Sequence, residues 1–396
     1  MTTSWTLTAR WLFPVSAAPL PHGVLTIAGK RIAAVEPTGA RRADVDLGDC
    51  AVLPGLVNAH THLDLTGLRG LAPPSPDFPA WLRRVITYRR DRTPEQVQSD
   101  VRAGLAESLH FGVTLLGDIS GDGSSWDVLA EAPLRAVVFR EMLGLPEERA
   151  SGAWERLHRW LSGRAATGTC RPGVSPHAPY SVRASLLLAA ATSGVPVAVH
   201  LAETAAEQEL LLLRRGPFVP FLRDLGVWAP EGLAEDTDHV LRLLNGTTPT
   251  LLVHGNFLSP AAAVPANASL VYCPRTHAAF SHPPHPFREF LARGVRVALG
   301  TDGLASNPDL DLLAEARFLH RHFPDVPGAT LLRMTTLAGA EALGWADETG
   351  SLQPGKSADL AVVALPAGEA DDPHRLVLGG DLPVRRTMCR GRWAAP

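Results

Sequence analysis

The chain has 396 residues, 45% of them hydrophobic and 19% charged, and a net charge of −3. That length and apolar content suffice for a large core, and the near-neutral charge gives no electrostatic case for nucleic acid or an anionic membrane as partner. No stretch reaches the length of a membrane span. Cys50, Cys170, Cys273 and Cys389 form neither a CxxC pair nor a disulfide framework, so reduced thiols and a cytoplasmic location are expected.

The opening MTTSWTLTARWLFPVSAAPL combines an apolar stretch with small residues. It lacks an early basic region, however, and Pro14 interrupts it, so its alternation reads as strand rather than signal peptide. GVLTIAGKRIAAVEP follows as two short strands with a turn at Ala28-Gly29-Lys30. The same pattern returns near the end of the chain, in GSLQPGKSADLAVVAL and RRTMCRGRW. A small β-sandwich made from both termini, residues 1–54 and 349–396, is expected to flank a single barrel over 55–348.

Between the termini, short apolar runs bounded by turn residues predict strands at 52–58, 113–118, 134–141, 172–177, 195–200, 249–254, 269–273 and 295–301. Segments with helical apolar spacing lie between them, such as Pro94 to Phe111 and Ser181 to Ser193. Strand-then-helix repeated eight times predicts an α/β fold, a parallel (β/α)8 barrel of the TIM type, with its site at the carboxyl ends of the strands. An open doubly wound sheet would not bring the first and eighth strand ends together. The Pro-rich APPSPDFPAWL after the first strand reads as a long active-site loop.

The polar residues at those strand ends carry the chemistry. His60 and His62 close VLPGLVNAHTH, and residues two apart on a strand point to one side, where both imidazoles can face one metal ion. Later runs end in His200 (VPVAVH), His254 (PTLLVH) and Asp302 (GVRVALGTD). A catalytic zinc takes nitrogen and oxygen ligands and keeps one position open. Each residue taken singly could be a satisfied core group, but such residues on four strand ends are a coherent ligand supply.

The segments PGLVNAHTH, VSPHAPYSV, HLAET, LLVHGN, ALGTDGLASN and GSLQPGKSADL, in that order, resemble the amidohydrolase superfamily, in the branch of the chlorohydrolases and aminohydrolases, over nearly the whole chain. The resemblance implies a metal-dependent barrel with a terminal β domain. It implies one divalent metal on His60, His62, His200 and Asp302, zinc in the first place, with iron(II) accepting the same ligands. It further implies Glu203 as proton shuttle and His254 as the group orienting or polarising water and substrate. Many members of the superfamily bridge two metals with a carbamylated barrel lysine. Here Lys30 and Lys356 are the only lysines and both fall in the terminal segments, so a mononuclear centre is expected.

Such a centre would make water acidic enough to supply hydroxide near neutrality. Asp302, beside that water, could accept its proton, and Glu203 could cycle between acid and base while an amino group leaves as ammonia. Substrate contacts are expected from His177 in SPHAPYS, from Arg69, Arg140 and Arg275 on segments after strands 1, 3 and 7, and from Phe78 and Trp81 as an aromatic cover. After strand 7, many relatives carry Cys-Pro-x-Ser-Asn, whereas this chain has YCPRTHAAFSHPPHPF, with Arg275, Thr276 and His277. That run looks more like the aminodeoxyfutalosine deaminases of the menaquinone route, whose aminopurine nucleoside bears a carboxyphenyl ketone. Adenosine, S-adenosylhomocysteine, guanine or a triazine are the alternative substrates. A non-catalytic binding protein would be expected to lack a ligand or Glu203, and none is missing. The expected partner is the small-molecule substrate alone; a homodimer is compatible with the sequence.

Overall fold

The structure, a computed structural model, describes residues 4–395. Eight strands run parallel in chain order: β1 (Leu56–Thr61), β2 (Val113–Ser120), β3 (Arg135–Met142), β4 (Cys170–Pro176), β5 (Val197–Leu201), β6 (Thr250–His254), β7 (Ala268–Tyr272) and β8 (Val297–Leu299). Nearly all their residues are buried, as expected of strands covered on both faces. Helices fill the crossovers, Pro94–His110 between β1 and β2 and Ala184–Ala191 between β4 and β5. The fold is a TIM-like barrel with added terminal sheets.

The seam between β8 and β1 decides where the site forms. The N–H groups of Thr301 and Asp302 both donate to the His60 carbonyl at 3.1 Å. Asn58 grips Thr301 from two sides, its Nδ2 donating to the Thr301 hydroxyl at 2.8 Å and its Oδ1 accepting the Thr301 N–H at 3.1 Å. A Cβ on Gly300 would lie 2.9 Å from both Cβ and O of His60, so only glycine permits this approach. The seam therefore sets Asp302 beside His60.

Inside the barrel, Val57, Ala59, Leu115, Ile119, Val137, Phe139, Ala198, Leu251, Val253, Val271 and Ala298 form one buried cluster, closed below by Leu343 and Trp345. Strict alternation from Val57 and Ala59 would turn His60 and His62 away from that interior. The ladder with β2 slips between Asn58 and Thr61, and after this irregularity both imidazoles reach the mouth.

The terminal strands form two sheets. One runs Arg31–Glu36, Val24–Ala28, Ser4–Thr8, Val45–Asp46, and the other runs Arg392–Ala395, Val384–Cys389, Leu360–Ala364, Cys50–Pro54, Trp11–Leu12, Leu20–Pro21. Leu7, Leu25 and Ile27 of the first pack against Leu12, Val52, Leu360 and Met388 of the second. The turn expected at 28–30 is present, with Gly29 left-handed (φ 60°) between the paired strands.

Two expectations are corrected. The strand expected at 52–58 is two strands, because the chain leaves the terminal sheet at Pro54 and enters the barrel at Leu56. Gly55 makes that passage against Thr114, whose Oγ1 would lie 2.0 Å from any Cβ there. The Pro-rich stretch is only partly loop. The Asp77 carboxylate accepts the N–H of Ala80 at 3.0 Å and starts helix α1 (Phe78–Arg90), with Pro79 in its first turn. All four cysteines are buried and free. Among the described residues no helix is long and apolar enough to cross a membrane.

Candidate metal centre and active site

At the carboxyl ends of the strands, β1 brings His60 and His62, β5 brings His200, β6 brings His254, and the turn after β8 brings Asp302. His62 Nε2 and His200 Nε2 lie 3.3 Å apart, and Asp302 Oδ1 lies 3.4 Å from His60 Nε2 and 3.5 Å from His62 Nε2. Ligand atoms held at 2.0–2.1 Å from one tetrahedral zinc are about 3.3–3.4 Å apart. These three separations match that spacing, and the ligand atoms gather as His60–His62–His200 and His60–His254–Asp302, two groups that share His60. His254 also offers a ring nitrogen within 4.8 Å of His60 and Asp302 atoms.

Hydrogen bonding supports the same reading. The His200 Nδ1–H donates to the His177 carbonyl at 2.9 Å, which leaves the Nε2 lone pair facing His62. His60 is fully buried with neither ring nitrogen partnered, an arrangement that costs free energy unless a cation accepts a lone pair. Burial, followed by neighbouring imidazoles, holds His62 and His200 well below the usual histidine range, so both are neutral and able to ligate. Burial pushes the Asp302 carboxyl up, but the close approach of His60, with His254 and His62 beside it, outweighs burial and holds the carboxyl below the usual range. The Ser306 hydroxyl donates to Asp302 Oδ2 at 2.7 Å, leaving Oδ1 turned to the histidines.

Glu203 lies beyond the ligand cluster, 3.5 Å from His254 Nε2 through Oε1. It is 5% exposed. Burial, then the charges of Asp302 and Glu207, raise its carboxyl well above the usual range, which favours its protonated form. Burial lowers His254 to about 3, leaving it neutral. His254 and Asp302 take left-handed backbone angles (φ 68° and 59°), as does Ala202 beside Glu203 (φ 52°). Each costs roughly 1–2 kcal/mol, and their gathering at one end of the barrel marks backbone held for a purpose other than stability.

A second layer leads outward. His177 Nδ1 meets Glu141 Oε1 at 2.7 Å, and its Nε2 meets the Tyr180 hydroxyl at 3.0 Å. Glu141 Oε2 accepts from Arg89 Nη1 at 2.7 Å, while Arg89 Nη2 reaches Asp64 at 3.3 Å and His62 Nδ1 at 3.5 Å. Arg89, Glu141, His177 and Tyr180 are shared walls of two adjoining cavities. The small one, 50 Å³, is lined by His62, His200, Glu203, His254, Asp302, Phe78 and Trp81. The larger, 850 Å³, has an apolar wall that includes Leu82, Val85, Ile86, Phe221 and Leu222, and arginines 89, 90, 92, 149 and 156.

The structure brings together His60, His62, His177, His200, Glu203, His254, Asp302 and Trp81, but not the three arginines expected at the mouth. Arg69 binds the Pro308 carbonyl and Glu107, Arg140 donates to the Asp122 carbonyl, and Arg275 is held by Glu315 and Asp309. None of the three lines either cavity among the described residues. Their donors go to neighbouring loops, which spacing along the chain does not reveal. Arg89 was missed, although a signal existed: Phe78, Trp81, Leu82, Val85 and Arg89 fall at helical spacing behind an Asp77-Phe-Pro start. His277 and His285 also stay outside the cavities, His277 binding the Pro283 carbonyl and His285 the His254 carbonyl, both at 2.8 Å.

The sequence profile of the amidohydrolase family matches residues 51–394. The chain belongs to the amidohydrolase family. This amidohydrolase is 32% identical over 376 residues to a Moorella thermoacetica protein named 5-methylthioadenosine/S-adenosylhomocysteine deaminase, covering 89% of this chain and 83% of that one. A Syntrophobacter fumaroxidans protein of the same name is 33% identical, covering 86% and 80%. Among solved structures, an adenosine deaminase from Xanthomonas campestris with bound zinc superposes with a TM-score of 0.81 at 26% identity, covering 98% of this chain and 92% of that one. Helicobacter pylori aminofutalosine deaminase in complex with methylthio-coformycin superposes at 0.84 with 23% identity over 99% and 100%, a likeness of fold. The amidohydrolase is a hydrolytic enzyme acting on C–N bonds.

Proposed function

We propose that this amidohydrolase removes the 6-amino group of an adenosine-type nucleoside by hydrolysis, and that the nucleoside carries an anionic 5′ substituent. An aminodeoxyfutalosine-type substrate of menaquinone biosynthesis is the first candidate. One observation carries the reaction type: a buried carboxyl, Glu203, stands 3.5 Å from His254 beside the ligand cluster, with its pKa raised by burial. The names of the relatives from Moorella and Syntrophobacter support the nucleoside class.

His60, His62, His200 and Asp302 would hold one divalent ion. When bound, that ion lowers the pKa of water towards 7. The residues of the chain do the rest. Glu203 gives its proton to ring N1, which leaves C6 open to attack by the water oxygen. Asp302 Oδ1 takes the proton the water releases. His254, neutral, steadies the water and the growing negative charge from its place between Glu203 and Asp302. Glu203, now ionised, takes the proton of the new C6 hydroxyl, Asp302 passes the proton it holds to the amino nitrogen, and ammonia leaves as the C6–N bond breaks, with N1 keeping its proton. Trp81 and Phe78 cover the ring and exclude solvent.

The larger cavity supports the 5′ extension. It begins at the shared wall of Arg89, Glu141, His177 and Tyr180, where a ribose would sit, and it combines apolar side chains with arginines. Arg90, Arg149 and Arg156 are exposed there and form no ion pair among the described residues. An aryl carboxylate meets both features. The names of the relatives favour a second reading, in which the substituent is the methylthio or homocysteine group.

A panel of aminodeoxyfutalosine, S-adenosylhomocysteine, 5-methylthioadenosine and adenosine tests both, followed by ultraviolet absorbance and released ammonia. The expected order of kcat/KM places the aryl carboxylate first and adenosine last. Preference for 5-methylthioadenosine would remove the anionic substituent, and absence of ammonia release from every nucleoside would remove the deaminase reading.

A further inference from the structure

Glu207 is a fully buried carboxylate that lines neither cavity. It belongs to the helix Ala205–Leu213, whose N-cap Thr204 accepts the N–H of Glu207 on Oγ1 at 3.2 Å. Thr204-Ala-Ala-Glu207 has the sequence of a capping box, in which the glutamate folds back on the N–H of the cap residue itself. Here the carboxylate passes the cap and binds the two peptide groups before it. Oε1 accepts the N–H of Ala202 at 2.9 Å and Oε2 the N–H of Glu203 at 3.1 Å.

Those two N–H groups belong to the short link between His200 and the helix, where Ala202 is left-handed. The opposite side of Glu203 is held as well, its carbonyl accepting from Asn256 Nδ2 at 3.0 Å. With its N–H bound to Glu207 and its C=O bound to Asn256, the Glu203 backbone cannot rotate. Only side-chain torsions remain to bring its carboxyl to the 3.5 Å approach to His254. A helix cap alone would be satisfied by Thr204 and a glutamate bound at the cap N–H, and it gives no reason to bury a carboxylate against residues 202 and 203.

We propose that Glu207 is a positioning residue for the reaction, which fixes the backbone of Glu203 so that its carboxyl meets the substrate in one orientation. This inference rests on the reading of Glu203 as proton shuttle. Glu207→Ala should lower kcat about 10- to 100-fold while KM changes less than about threefold and the metal content stays unchanged, because the substrate and metal sites are untouched. Glu207→Gln, which keeps one acceptor, should recover part of that loss. Thr204→Val breaks the cap and spares the two bonds of Glu207, so it should lower thermal stability with kcat within about twofold. Amide hydrogen exchange at residues 202 and 203 should quicken in Glu207→Ala and stay slow in Thr204→Val, a readout independent of turnover.

A double-mutant cycle with Glu203→Gln decides the matter. If Glu207 acts through Glu203, adding Glu207→Ala to Glu203→Gln should cost less than about twofold further in kcat. Losses that multiply, or a normal kcat in Glu207→Ala beside an impaired Glu203→Gln, would overturn the positioning role alone. A normal kcat in Glu203→Gln itself would overturn the shuttle reading and this inference with it.

Discussion

His200 and Glu203 are three residues apart, and two substitutions separate their tasks. His200→Ala deletes an imidazole whose free Nε2 faces His62, and it should abolish metal binding and activity together. Glu203→Gln keeps every proposed ligand, so elemental analysis should still find close to one equivalent of metal while turnover falls by ~10² or more. Two tightly held ions in the wild type would sink the mononuclear reading. A third residue, Asp118, offers a test by pH. Its carboxyl, buried between the Leu63 N–H and the Ser125 hydroxyl, is raised by burial to about 7. An acid whose folded pKa exceeds its unfolded value near 3.8 stabilises the fold at low pH. That contribution is lost as pH climbs from about 4 through about 7. Asp118→Asn does not titrate, and Asn can still accept from Leu63. The stability of the variant relative to wild type should therefore grow between pH 5.5 and 7.5 by roughly 1–3 kcal/mol in urea unfolding. A constant difference across that range would mean Asp118 is not buried as an acid.

At the scale of elements, the seam of β8 against β1 is the most sensitive part. Gly300→Ala would push a methyl into His60, and overpacking of this kind costs roughly 1–3 kcal/mol. Because the seam also places Asp302 beside His60, the variant should lose metal to a chelator sooner than wild type, beyond its loss of stability. Equal chelator resistance would show that the ligands do not depend on the seam. The barrel strands were legible from apolar runs because a strand covered on both faces must be apolar throughout. Their ends were less so: β1 begins at Leu56 rather than 52, since one apolar run serves two sheets that meet at Gly55. Helix α1 was hidden for a related reason. Three prolines before Asp77 suggested loop, while the cap at Asp77 and the periodicity after it signalled helix and brought Arg89 to the site.

Across the whole molecule, the two adjoining cavities make substrate choice a property of parts far apart in the chain. Arg149 and Arg156 come from the helix Glu147–Ser162, and Arg90 from the end of α1. If one of them binds the anionic end of the substrate, its replacement by alanine removes a charged hydrogen bond worth about 1.5–3 kcal/mol, and kcat/KM should fall roughly 10- to 150-fold. The same variant should leave adenosine turnover unchanged. Arg69→Ala and Arg275→Ala serve as controls, since their donors are engaged with Pro308, Glu107, Glu315 and Asp309. Equal losses on both substrates would indicate a structural role for the cavity arginines.

The order of apolar runs and their polar ends determined the barrel and the candidate ligands, and the resemblance carried by HLAET added Glu203. The carboxyl-end rule is a consequence of barrel geometry and sets His60, His62, His200, His254 and Asp302 at one end of the barrel, while the irregularity after Asn58 and the β8–β1 seam turn His60, His62 and Asp302 towards one another. Substrate contacts follow a different logic. An arginine is long, flexible and easily satisfied by the nearest carbonyl or carboxylate, so its partner depends on which loops pack beside it. Position after a strand made Arg69, Arg140 and Arg275 candidates, but packing gave each of them a partner elsewhere. Packing also left Arg89, Arg90, Arg149 and Arg156 facing the cavity. Only tertiary structure decided that, because the cavity is made by α1, the helix Glu147–Ser162 and the helix Phe218–Asp224 meeting over the barrel mouth.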